Sequence, residues 1–115
     1  MSRHDPALRL RHMLDYAREV AGLAEGRTRD DLDTNRLLQL ALTRLVEVIG
    51  EAAAGVREPT RSQCPEIPWT QIVGMRNRLI HGYDVIDVDM LWNTITSDIS
   101  PLISLLEAAL AELDE

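Results

Sequence analysis

The chain has 115 residues, enough for one domain with a single core and too few for two. Its hydrophobic content of 45% and mean hydropathy of -0.13 are ordinary for a globular protein, and no apolar run approaches the roughly 20 residues of a membrane span. The net charge of -7 argues against broad, nonspecific nucleic-acid binding, and a single cysteine, Cys64, excludes an internal disulfide and points to a reducing, cytoplasmic setting.

Asp5-Pro6 reads as a helix start, an N-cap acid followed by proline at the first helical position. The N-terminal Met-Ser-Arg-His-Asp-Pro has no apolar core behind it and does not read as a signal peptide. Leu10, Met13, Leu14, Ala17, Ala21 and Ala24 form one apolar stripe, and Gly26 closes the helix. A polar, turn-like segment from Thr28 to Asp33 follows. The next helix is predicted over Thr34 to Ala54, with Leu38, Ala41, Leu42, Leu45, Ile49, Ala52 and Ala53 as its main stripe. Leu37, Leu40 and Val48 widen that stripe, so this helix is expected to pack against two neighbours or against a partner chain.

Gly55 to Pro68, with three prolines, reads as a long connection. Pro68 opens a third helix that is expected to end near Gly82. A fourth starts with Asp87 or Asp89 as its cap and should kink or break near Asp98 to Pro101. No segment alternates with period two. The expected fold is an all-α, antiparallel bundle of four main helices forming a single domain over residues 1–115.

Charge is unevenly distributed. Residues 84–115 hold eight acids and no arginine, whereas the segment 58–83 holds Arg61, Arg76 and Arg78 against Glu58 and Glu66. Within that segment, Trp69, Ile72, Val73, Leu79 and Ile80 follow helical spacing, and Arg76 occupies the missing position of their stripe. A guanidinium on an inward face needs a partner. Arg44, Glu47 and Glu51 make a polar stripe on the second helix, and Glu51 or Glu47 is the expected acid. His81 and Tyr83 follow at the helix end, gathering an arginine, an imidazole and a phenol.

Each of these residues also has a plain structural role open to it. Arg76 can be one half of an interhelical ion pair, His81 a helix-terminal residue favoured by the dipole, and Arg78 a solvated cation. Trp69 and Trp92 read as core or interface anchors, and Asp84, Asp87 and Asp89 as turn and capping residues. His4, His12, His81 and Cys64 show no metal-ligand spacing, and Cys64 lacks the matched groups of a nucleophile.

The pattern Arg76, four residues, His81, any residue, Tyr83 is specific in its context. Ile49-Gly50-Glu51-Ala52 precedes it, as does Pro65-Glu66-Ile67-Pro68-Trp69, and Trp92 and Asp98-Ile99-Ser100-Pro101-Leu102 follow. Over nearly the whole chain this arrangement resembles the HepT-like family of HEPN-domain ribonuclease toxins. The resemblance implies a helical bundle that dimerises, bringing two copies of the motif into one cleft. It implies metal-independent endoribonuclease activity with no cofactor, RNA as substrate, and inactivation by a small MNT-type nucleotidyltransferase antitoxin. Arg76 and His81 would be catalytic, Tyr83 both a supporting residue and the site of adenylylation, and Arg78 and Glu51 supporting residues. A homodimer, or a larger hetero-oligomer with the antitoxin, away from membranes, is the implied assembly. The other readings are a noncatalytic HEPN module that binds the nucleotidyltransferase, and a helical scaffold whose motif only stabilises the dimer.

Overall fold

The structure is a computed structural model and describes residues 5–81 and 85–113. Helix α1 spans Pro6–Ala24. The Asp5 carboxylate caps it, accepting the Ala7 N–H at 3.0 Å, and Pro6 opens its first turn. Gly26, at φ 75°, turns the chain out of the helix in a conformation that a side chain would strain. The buried face is Leu10, Met13, Leu14, Ala17 and Val20. Val20 takes the place expected of Ala21, which is exposed. Both lie one turn beyond Ala17, and the bulkier side chain fills the core.

The segment expected as a turn contains a short helix, α2 (Arg29–Thr34), whose Leu32 is buried. Asn35 then caps α3 (Arg36–Ala54), accepting the Leu38 N–H at 3.0 Å. The buried face of α3 includes Leu38, Leu42, Val46, Ile49 and Ala53. It lies between α1 on one side and the motif helices on the other. Leu37 and Leu40 do not join that face; they are 80% and 42% exposed.

The connection after Gly55 also contains a helix, α4 (Glu58–Gln63), which the three prolines had masked. Its Arg61 closes the end of α3. The guanidinium donates to the Ala53 and Val56 carbonyl oxygens, each at 3.0 Å, and lies 5.4 Å from the centre of the Trp69 ring. Arg61→Ala would free two carbonyls and uncover the indole. Thermal unfolding is expected to report a loss of about 1–2 kcal/mol. Arg61→Lys should not restore it, because an ammonium lacks the planar fork that reaches both oxygens.

The third predicted helix is two short ones, α5 (Trp69–Val73) and α6 (Met75–Leu79), meeting at Gly74. It ends at Leu79, earlier than expected. The chain then extends into β1 (Ile80–His81), which pairs antiparallel with β2 (Val85–Ile86), Ile80 opposite Ile86 and His81 opposite Val85. This two-residue pairing is the sole sheet among the described residues. Gly82, Tyr83 and Asp84 lie outside the described residues.

The final helical run comprises α7 (Val88–Asn93), a π-helical turn over Thr94–Asp98, and α8 (Ile99–Leu113). Of the two acids proposed as its cap, Asp87 does the work, accepting the Met90 N–H at 3.0 Å. The run is not broken near Pro101. It widens one turn earlier: the Ile99 N–H reaches back five residues to the Thr94 carbonyl. Proline lacks the N–H that α register requires and crowds the carbonyl four residues back, and the π turn absorbs that misfit. By length and composition alone Val88–Leu113 could cross a bilayer, contrary to the sequence expectation. Its apolar side chains face the protein instead. Leu91, Ile99, Leu102 and Leu106 are buried, and α8 packs along α1. The result is the expected all-α bundle, with α1, α3, α5–α6 and α7–α8 as its main members.

Candidate functional site

Arg76 does not sit on the inward face. The stripe drawn from the sequence lay one position off: Ile72, Met75 and Leu79, at i, i+3 and i+7, make the buried line, and Val73 is partly exposed. Met75 and Leu79, four residues apart, become the buried pair of α6, and Arg76 turns outward with its side chain 54% exposed. The guanidinium is nonetheless anchored. Its Nε donates to Glu47 Oε2 at 3.0 Å, and the Glu47 side chain is only 15% exposed. No other described residue bonds it, so its terminal nitrogens remain available to an anion.

Of the two acids that α3 offered, Glu47 takes Arg76. Glu51 pairs instead with Arg44, Nη1 to Oε1 at 3.3 Å, with both side chains more than half exposed. Arg78 is not held toward Arg76. Its Nη2 donates to the Gln71 carbonyl at 2.8 Å, folding the guanidinium back over α5 beside Gly74. His81 is placed by its backbone in β1, directly after α6. Its side chain and all of Tyr83 lie outside the described residues.

Glu47 also lines an open groove of about 430 Å³, together with Leu40, Thr43, Arg44, Ile80 and Ile86. Of its lining residues Leu40 is exposed, and the exposed Val85 pairs with His81 beside Ile80 and Ile86. The anchored arginine thus adjoins a groove that is apolar at its floor and mixed in charge at its edge. Two of these features were missed in the sequence. The β1–β2 pairing is signalled by β-branched Ile80, Val85 and Ile86 on either side of Gly82. Glu47 was singled out only as a structural partner.

Cys64 is buried, and desolvation pushes its thiol pKa up, helped by the negative charges of Glu112 and Glu66. It stays protonated near neutral pH and is no nucleophile. Among the described residues no group of three or more His, Cys, Asp or Glu is arranged to hold a metal ion.

The Arg76–Glu47 pair predicts an asymmetry. Removing Glu47 leaves a half-exposed cation that water solvates, so Glu47→Ala should cost under about 1 kcal/mol. Removing Arg76 strands a mostly buried carboxylate, so Arg76→Ala should cost more, about 1–3 kcal/mol. Urea unfolding of the two variants measures both.

Residues 13–109 match the family model described as "Ribonuclease HepT-like". The chain belongs to the HepT-like ribonuclease family. Curated relatives agree. "Probable ribonuclease HepT" of Thermococcus cleftensis is 37% identical over 95 residues, covering 76% of this chain and 86% of the relative. "Putative RNase MJ1380" of Methanocaldococcus jannaschii is 32% identical over 99 residues, covering 86% and 91%. "Putative RNase MJ0125" of the same organism is 28% identical over 115 residues, covering 100% and 99%. No solved structure matches the chain. The HepT-like match spans α3, the Arg76–Glu47 pair and the whole segment to Tyr83.

Proposed function

We propose that this HepT-like protein is a metal-independent endoribonuclease toxin that works as a homodimer and is neutralised by a nucleotidyltransferase antitoxin. The observation that carries the reading is Arg76: a guanidinium displayed at the surface, fixed at its Nε by Glu47, five residues before His81. Cleavage of RNA without a metal needs a base for the ribose 2′-hydroxyl proton, an acid for the departing 5′-oxygen, and positive charge on the phosphorane-like transition state. Imidazole serves for either proton transfer near neutral pH. The 2′-oxygen attacks phosphorus, the bond from phosphorus to the 5′-oxygen breaks, and the products carry a 2′,3′-cyclic phosphate and a 5′-hydroxyl. Arg76 grips the nonbridging oxygens through its free terminal nitrogens.

A single His81 cannot be base and acid in the same step. A second copy supplies the other imidazole. The exposed Leu40, in the groove with Glu47, and Val85, opposite His81, support such a docking face, since a monomer gains nothing by leaving them in water. Adenylylation of Tyr83, two residues after His81, would add bulk and negative charge and exclude RNA.

Expression tests the toxin reading. The parent is expected to arrest growth, and His81→Ala to relieve the arrest while remaining a folded dimer by sedimentation. Co-expression with a nucleotidyltransferase encoded in the adjacent reading frame should also relieve it, with one adenylyl group found by mass spectrometry on the Tyr83 peptide. Arrest by His81→Ala equal to that of the parent overturns the catalytic assignment. Tight binding of the nucleotidyltransferase with no RNA cleavage by unmodified protein would establish the noncatalytic module instead.

A further inference from the structure

A second groove, of about 440 Å³, opens where the start of α1 meets the end of α3 and the start of α4. Arg9, His12 and Arg57 line it, and Asp5 is the one acid among its described lining residues. The Asp5 carboxylate is turned to the Ala7 N–H as the cap of α1. Arg9 lies across the bare backbone of Gly55, where any Cβ would collide with the guanidinium. That position, at the last turn of α3, favours a cation through the helix dipole. Yet Arg9 has no hydrogen bond or ion pair to any described residue, and neither has His12, one turn further along α1. A guanidinium with five donors and an imidazole are thus presented together, unpaired, in a concave surface.

We propose that this corner is a phosphate-binding subsite for single-stranded RNA, holding the backbone a few nucleotides from the bond addressed by Arg76 and His81; this rests on the ribonuclease reading. Gly55, the residue that closes α3, lies eight residues beyond Glu47, about 12 Å along the helix axis. Glu51, between the two, is neutralised by Arg44 and does not place an unpaired negative charge in the path. The subsite reads backbone charge, not bases, and therefore favours long substrates over short ones without choosing sequence.

The test compares a long mixed-sequence single-stranded RNA with the shortest oligomer the parent still cuts. Two variants are used: Arg9→Gln/His12→Gln, which removes both donors, and Gly55→Ala, which keeps every charge but displaces Arg9. Circular dichroism checks the fold, and the single Arg9→Gln replaces the double variant if that one melts early. The double variant is expected to raise KM for the long RNA about tenfold. It should leave kcat and the short substrate unchanged and flatten the salt dependence of binding. Gly55→Ala should shift KM in the same direction by less. An unchanged KM on long RNA, or an equal loss of kcat on both lengths, overturns the subsite. If the parent cuts no RNA, the ribonuclease reading fails separately, and fluorescence anisotropy with labelled RNA in EDTA decides the groove. Binding about tenfold weaker in the double variant sustains it; equal binding, or none by the parent, overturns it.

Discussion

Unmodified protein carrying His81→Ala is expected to cleave RNA about 100- to 10,000-fold more slowly than the parent, with little change in RNA affinity. On the proposed mechanism the imidazole moves protons in the transition state and contributes little to ground-state binding, so kcat should carry the loss. Arg76→Ala should depress kcat by a comparable factor, since the charge it places against the phosphoryl oxygens matters most as that charge develops. It should also raise KM if, as proposed, the same fork grips the ground-state phosphate. Arg76→Lys is not expected to restore the rate. An ammonium reaching from α6 cannot hold Glu47 and two phosphate oxygens together. His81→Ala is the cleaner of the two probes, for it leaves the Arg76–Glu47 pair in place. Single-turnover kinetics on both variants, with protein shown by mass spectrometry to be unmodified, measures these losses.

The second large effect concerns Gly50. This residue is buried in α3, and a Cβ built there would meet the Ile72 carbonyl oxygen of α5 at 3.0 Å. The two helices approach backbone to backbone at that point, and the neighbour is a carbonyl that cannot rotate away. Gly50→Val is therefore expected to cost about 1–3 kcal/mol through overpacking, a fall of several degrees in melting temperature. Its consequence for the site should be larger than its cost in stability. α5 and α6 would be pushed off α3, and Arg76 on α6 would leave Glu47 on α3. Activity should fall at temperatures where the variant is still folded. Gly50→Ala should do the same more weakly, because the added contact is tight but its helix propensity partly compensates.

The way the chain discloses its fold explains which parts of the site could be anticipated. Where an amphipathic helix is long, one or two misplaced residues do not alter the pattern. The N-cap at Asp5, the stop at Gly26 and the faces of α1 and α3 were legible for that reason. The irregularity before Pro101 was legible too, because proline's missing N–H forces an answer; that the answer is a π turn and not a break depends on packing along α1. Short elements behaved differently. α2, α4 and the β1–β2 pair are each six residues or fewer, too short for periodicity to be seen above chance. The misplacement of Arg76 has a related origin. Over so short a helix the stripe through Val73 and Ile80 cannot be told from the line one position away, Ile72, Met75 and Leu79, which is the one that is buried and leaves Arg76 at the surface. The sequence had narrowed its partner to two acids one turn apart, and only the tertiary approach of α6 to α3 selects Glu47 over Glu51. The exposed Leu37 and Leu40 were visible as an excess of apolar positions on α3, and a partner chain was one of two explanations open.

What the unmodified protein does to RNA when metal is removed is the decisive observation. Purified protein with an unmodified Tyr83 peptide, incubated with single-stranded RNA in EDTA, should release fragments ending in 2′,3′-cyclic phosphate and 5′-hydroxyl, and His81→Ala should release none above background. Intact RNA after incubation with the parent, or fragments with 5′-phosphates that appear only when a divalent cation is restored, would contradict it.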